Sequence, residues 1–187
     1  MQKILFIVFI TFLTACSSDY APKPKGFFRI NFPEKKYQTF ISDCPFQFDY
    51  PTYAVVNDYK GSQKNTCWKN VDFNSFNARL HLSYSSINKD IDKHIEDSRM
   101  LAYKHIVKAE AINEELVSFP NKKVYGLIYS IDGATASGLQ FYLTDSTKHF
   151  LRGALYFNVQ TNVDSIQPVS SFIKEDVFKL VNTLNWK

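Results

Sequence analysis

A single apolar run decides where this chain has to fold. Ile4 to Leu13 carries no charge, follows the basic start Met1-Gln2-Lys3, and ends in Leu13-Thr14-Ala15-Cys16. Ten such residues suit the centre of an export signal and fall well short of the roughly 20 that a membrane-spanning helix needs. The closing tetrapeptide has the residue types of a bacterial lipobox, with small side chains for a peptidase to accommodate and then a thiol free to accept a diacylglyceryl group. Polar Ser17-Ser18-Asp19 follows at once. The expected organisation is a signal peptide over 1–15, lipidation at Cys16, a tether over 16–26, and one folded domain over 27–187. Each buried acyl methylene contributes about 0.8 kcal/mol, so two or three chains hold firmly where one does not. The sequence has no second long apolar run, so the rest of the chain is expected to fold as a water-soluble domain tethered to a membrane.

Export also sets the redox conditions. Cys44 and Cys67 are the only cysteines besides Cys16, and in an oxidising compartment a leftover pair reads as one disulfide. A metal site would need further Cys or His close by, and none lies within ten residues of either cysteine. No metal and no cofactor is expected. The formal net charge of +4 falls by one to +3 when Lys3 leaves with the signal peptide. The basic residues are scattered, which argues against a nucleic-acid partner.

Periodicity then gives the elements. Phe46-Gln47-Phe48-Asp49-Tyr50 alternates apolar and polar, as do Val71-Asp72-Phe73 and the run Ala78 to Tyr84. Val124 to Ile131, Leu139 to Leu143 and Phe150 to Val159 read as three more strands, close enough in sequence for an antiparallel meander. Aromatic residues at 16% suit such a β-rich core. Ile91, Ile95, Ala102, Ile106 and Ala109 predict a helix from Asn88 to about Ala111. Val169, Phe172, Ile173, Val177, Leu180, Val181 and Leu184 predict a second over Val169 to Leu184, with Pro168 at its start. The expected class is α+β, an antiparallel sheet with two principal helices packed against it.

Four segments then carry a resemblance: Cys44 to Pro51 (CPFQFDYP), Glu96 to His105 (EDSRMLAYKH), Thr144 to Phe157 (TDSTKHFLRGALYF) and Thr183 to Lys187 (TLNWK). With the lipobox they resemble the GldD family, gliding-motility lipoproteins of the Bacteroidetes. The resemblance implies a role in gliding motility together with the type IX secretion machinery. Partners would be other envelope proteins of that apparatus, besides the membrane that holds the lipid. It implies no reaction, cofactor or small-molecule substrate, and so no enzyme. It places the chain in the cell envelope, anchored to the inner or outer membrane. The residues after Cys16 lack an acidic run resembling the surface-export signals of that phylum, so a periplasm-facing position is expected. The order of elements is also similar to the PsbP-like α/β/α sandwich.

Two surfaces are candidates for partner contacts. One is the helix segment Glu96, Asp97, Arg99, Tyr103, Lys104 and His105, since Arg and Tyr are enriched in interface hot spots. Its plain reading is a solvated helix face with minor ion pairs. The other is the turn and strand start with Asp145, Lys148, His149 and Arg152, whose plain reading is a hairpin turn. Ser146 with His149 and Asp145 would make a hydrolase, but three groups within five residues rarely converge, and no nucleophile elbow exists in the sequence. His94 and His105 lie too far apart along a helix to share a metal, and His81, beside Arg79, is expected to be exposed. A further alternative is a periplasmic ligand-binding domain with a pocket lined by Phe and Tyr between sheet and helix.

Overall fold

Alternation becomes strand register in the computed structural model, which describes residues 29–61, 67–104, 109–133, 135, 137–158 and 163–187, without the side chains of 163–165. The signal peptide, Cys16, the tether, His105 and Val159 lie outside the described residues. The elements are β1 (Tyr37–Phe40), β2 (Phe46–Pro51), β3 (Val55–Asp58), β4 (Lys69–Phe73), β5 (Ala78–Ser86), α1 (Ile91–Tyr103), β6 (Ala109–Phe119), β7 (Val124–Gly133), β8 (Leu139–Thr144), β9 (His149–Phe157), α2 (Val163–Thr183) and β10 (Asn185–Trp186). They build two sheets, a large one of seven strands ordered β3-β4-β5-β9-β8-β7-β6 and a small one ordered β1-β2-β10. Every pairing is antiparallel, and β7, β8 and β9 form the expected meander.

The period-two pattern sorts side chains to two faces of the large sheet. Leu80, Leu82, Leu139, Phe141, Leu143, Leu151 and Leu155 share one core with Phe46 and Phe48 of the small sheet and with Ile173, Val177, Leu180, Val181 and Leu184 of the closing helical segment. On the other face Tyr129 and Ile131 pack with Ala102 of α1. A helix therefore lies on one side of the large sheet, and a helix with the small sheet lies on the other. That arrangement is the expected α+β class in an α/β/α layering. Part of the Phe and Tyr surplus packs in and against this core: Phe40 stacks on Phe48 at 5.0 Å and Tyr53 on Phe172 at 5.8 Å.

Two helix boundaries correct the expectation. The first helix ends at Tyr103, and Ala109, Glu110 and Ala111 belong to β6. Alanine and glutamate suit a helix by propensity, but here they run along a sheet edge, where a bulge between Ala109 and Ala111 also breaks the alternation. The second helix begins at Val163, so Pro168 sits inside it. Its ring removes the amide that would donate to the Asp164 carbonyl one turn back.

One buried charge interrupts the apolar stripe of α2. Asp176 is 1% exposed and accepts from Lys35 Nζ at 2.9 Å, from Tyr37 Oη at 2.9 Å and from Tyr53 Oη. Burial and then the Asp176 carboxylate push both phenols above their ordinary range, so they stay protonated donors. The network fastens α2 to β1 and to the turn after β2. The Cys44–Cys67 disulfide, with a Cα–Cα distance of 5.4 Å, fastens the start of β2 to the start of β4 and so joins the two sheets.

Strand packing also fixes one glycine. A Cβ on Gly126 would lie 1.9 Å from the Tyr142 carbonyl oxygen on β8, whereas one on Gly138 would meet nothing nearer than 3.6 Å. Main chain cannot swing aside as a side chain can, so Gly126→Ala is expected to cost about 1–3 kcal/mol. Gly138→Ala should stay within about 0.5 kcal/mol. Parallel urea melts of the two variants check the contrast, and equal losses would refute it.

Candidate functional site

The turn after β8 consumes the residues that suggested a catalytic group. Asp145 Oδ1 accepts the amides of Thr147, Lys148 and His149 at 3.0, 2.8 and 2.8 Å, and Oδ2 accepts the Thr147 hydroxyl at 2.9 Å. Burial works against its charge, but these main-chain donors outweigh it and hold the carboxyl at about 2. His149 turns away from Asp145: its Nδ1 meets the Tyr84 hydroxyl at 2.8 Å, and its ring stacks on Trp186 at 5.2 Å. Ser146 has φ 67° and donates its amide to Thr144 Oγ1. Asp145, Ser146 and His149 therefore do not form a proton relay. Lys148 points to solvent at the tip of the turn, while Arg152 lies within β9 on the outer face of the sheet.

The helix candidates form a ladder that descends to the sheet edge. Exposed Glu96 and Arg99 pair at 3.6 Å, the Arg99 guanidinium lies 5.5 Å from the centre of the Tyr103 ring, and the Tyr103 hydroxyl donates to Glu114 of β6 at 3.0 Å. Asp97 is half-buried and Lys104 exposed, while Met100 and Leu101 beside them show 51% and 37% of their surface. His94 stacks on Phe150 at 5.1 Å beneath the helix. Among the described residues no group of three His, Cys, Asp or Glu side chains is placed to hold a metal.

Register assembles a further cluster that sequence spacing does not show. The β5–β9 pairing sets Arg79 opposite Tyr156, His81 opposite Ala154 and Ser83 opposite Arg152, and β4 adds Asn70 opposite His81 and Asp72 opposite Arg79. His81 is half-buried rather than exposed, because its Nδ1 donates to Asn70 Oδ1 at 2.7 Å and its ring meets Tyr156 edge-on at 5.5 Å. Burial, then the charge of Arg79, lowers its pKa, so the ring is neutral near pH 7. Asp72 is bonded by Arg79 and by Asn57 Nδ2. Burial opposes its charge, and these donors more than offset that, so its carboxyl titrates below the usual range. Two adjoining clefts of about 540 and 290 Å³ open over the cluster and share His81 and Tyr156.

The family model described as gliding motility lipoprotein GldD matches residues 17–186. The chain belongs to that family. As a GldD-family member it is a gliding-motility lipoprotein of the cell envelope, held at a membrane. Its fold is similar to the solution structure of cyanobacterial PsbP (CyanoP) from Synechocystis sp. PCC 6803, with a TM-score of 0.50 and 16% identity, covering 89% of this chain and 100% of that one. At that identity the likeness speaks for the fold alone. No curated protein sequence matches the chain.

Sequence spacing brings Arg152 of this GldD-family chain into view only as part of the turn, and neither the rest of the outer-face cluster nor Asp176 is singled out by it. Asp176 had a visible signal: it falls three residues after Ile173 and four before Leu180, inside the apolar stripe. A charge at such a position asks for a buried partner.

Proposed function

We propose that this GldD-family lipoprotein acts without catalysis, tethered through lipid on Cys16 to the inner or outer membrane and facing the periplasm. In this reading it docks by protein–protein contact onto the motility apparatus and the type IX secretion machinery. The observation that carries the reading is the outer edge of β6. This eleven-residue strand closes the large sheet, and among the described residues only β7 pairs with it. An unpaired edge of that length offers a row of main-chain donors and acceptors to an incoming strand. Leu116, 76% exposed, supplies an apolar side chain, and Glu110 and Glu115 set an acidic character that favours a basic partner segment. Through the Tyr103–Glu114 bond the edge is continuous with the α1 surface of Glu96, Asp97, Arg99 and Lys104.

Leu116→Asp tests the proposal. Because Leu116 is exposed, stability should change by about 0.5 kcal/mol or less. Capture of motility or type IX components from detergent-solubilised membranes should fall about tenfold or more, as at an interface hot spot, and gliding should fail. A Leu116→Asp strain that glides and captures the same components as wild type would refute docking at this edge. Ser146→Ala in the same assays provides the catalytic contrast: a folded, partner-bound but immotile variant would favour a hydrolase instead.

A further inference from the structure

Helix α1 covers the outer face of the large sheet over β8 and β9, where it also meets Tyr129 of β7, and the polar clefts lie beyond it over β4 and β5. The cations of this face are not balanced alike. Arg79 is paired with Asp72. Arg152 donates from Nη2 to Gln140 Oε1 at 2.5 Å and has the Tyr156 hydroxyl as its other neighbour, both neutral groups. Among the described residues no carboxylate pairs with it. Burial presses its pKa below the ordinary guanidinium value, with Tyr156 acting the other way, yet a guanidinium keeps its proton at neutral pH. A cation drawn out of water without a counter-charge is costly, and neutral acceptors return only part of that cost. Gln140 is 1% exposed and spends its amide oxygen on Arg152, while its Nε2 has no partner among the described residues. A buried amide held this way fixes one arm of the guanidinium.

The cleft of about 290 Å³ brings Arg152 together with the rings of Tyr59, Trp68 and Tyr156 and with Asn70 and His81. Tyr59 and Trp68 pack at 5.6 Å, and Trp68 is oriented by its bond to the Tyr84 carbonyl oxygen at 2.8 Å. His81 gives its Nδ1 proton to Asn70, which leaves the Nε2 lone pair as an acceptor.

We propose that this cleft binds a small ligand bearing one carboxylate, which Arg152 engages with its planar fork while the Tyr59, Trp68 and Tyr156 rings receive the ligand's less polar body. The charge balance selects the class. Arg152 supplies one uncompensated positive charge, which a monoanionic carboxylate neutralises and a phosphate dianion would overshoot. Two sources share this chemistry, an acidic sugar, whose ring faces suit aromatic walls, and the free carboxyl end of a peptide. The site is independent of the β6 edge, and it departs from the expectation that the chain has no small-molecule partner.

The two tryptophans give a direct readout, because Trp68 lines the cleft and Trp186 lies on β10. The full chain, labelled with fluorotryptophan and held in detergent micelles, should show two fluorine resonances. N-acetylmuramic acid and acetyl-Ala-Ala with a free carboxyl end are titrated against their uncharged counterparts, N-acetylglucosamine and acetyl-Ala-Ala-amide, with inorganic phosphate as a third arm. At least one of the acids should move the Trp68 line saturably and leave the Trp186 line in place, and which acid does so names the source. The uncharged counterparts and phosphate should bind about tenfold more weakly or worse, as should every acid to Arg152→Gln. Should Arg152→Gln lose the native Trp186 line, Arg152→Lys replaces it, keeping the charge but not the fork, and weaker binding is again expected. The proposal is overturned if neither acid moves the Trp68 line, if the uncharged counterparts or phosphate bind equally well, or if a folded Arg152 variant binds like wild type.

Discussion

Asp176→Ala should be the most damaging single substitution in the domain outside its apolar core, costing about 3–5 kcal/mol as expected when one partner of a buried ion pair is removed. Alanine leaves the Lys35 ammonium and the hydroxyls of Tyr37 and Tyr53 without the acceptor that gathers them. Lys35 retains 23% of its side-chain exposure, bonds the Phe172 carbonyl oxygen at 2.7 Å and lies 3.2 Å from Glu175. It can therefore recover some solvation, which places the loss toward the lower end. Asp176→Asn keeps an acceptor and should cost less. Combining Asp176→Ala with Lys35→Met should cost less than the sum of the single changes, because the second removes the stranded charge. Urea denaturation of the wild type, Asp176→Ala, Asp176→Asn, Lys35→Met and the double variant tests this. Additive losses would mean that Lys35 and Asp176 are not energetically coupled.

Reducing the Cys44–Cys67 bridge should cost about 3 kcal/mol, the value loop closure gives for two dozen residues. The bridge closes a sequence separation of 23 and ties β2 to β4 across the two sheets. As a disulfide the pair has no free thiol, so both cysteines should stay closed to alkylation, even in the unfolded chain, until the bond is reduced. With Cys44 3% exposed, reductant should reach it slowly in the native protein. A melting curve with and without reductant measures the loss. An unchanged midpoint, or free alkylation of both cysteines in protein taken from the periplasm, would show that the bridge does not form.

The strands that alternation revealed are the interior ones, β2, β4, β5, β7, β8 and β9. The strands it missed, β1, β3, β6 and β10, are the four edges of the two sheets. An interior strand must place apolar side chains against a core, which writes the period of two into its residues. An edge strand has a free side and carries little of that pattern. Along β6 only Val117 is buried, and β3 has no buried residue. The candidate sites divide for a related reason. Asp145, Lys148 and His149 drew attention as sequence neighbours, but local turn geometry uses Asp145 and aromatic packing uses His149. The outer-face cluster draws on strands far apart in sequence, and only the register of β5 against β9 sets Ser83 beside Arg152. Arg152 was noticed from sequence, but as part of the turn rather than of the cleft that holds it.

The small sheet has a consequence for how this domain is made. Its last strand pairs Trp186 with Phe46 and Asn185 with Gln47, so positions far apart in sequence must meet before the sheet is complete. A chain that crosses a membrane in extended form, N-terminus first, cannot close that sheet until Asn185 and Trp186 have emerged. The large sheet is similarly delayed, since β5 waits for β9. Such non-local pairing belongs to the slower folding topologies, on the order of milliseconds to seconds, and leaves apolar strands uncovered meanwhile. With the proposed lipid anchor at Cys16 leading, anchoring would precede folding, and the unfinished strands would wait beside a lipid surface. The step most in need of a chaperone is therefore the interval between export and the arrival of Trp186.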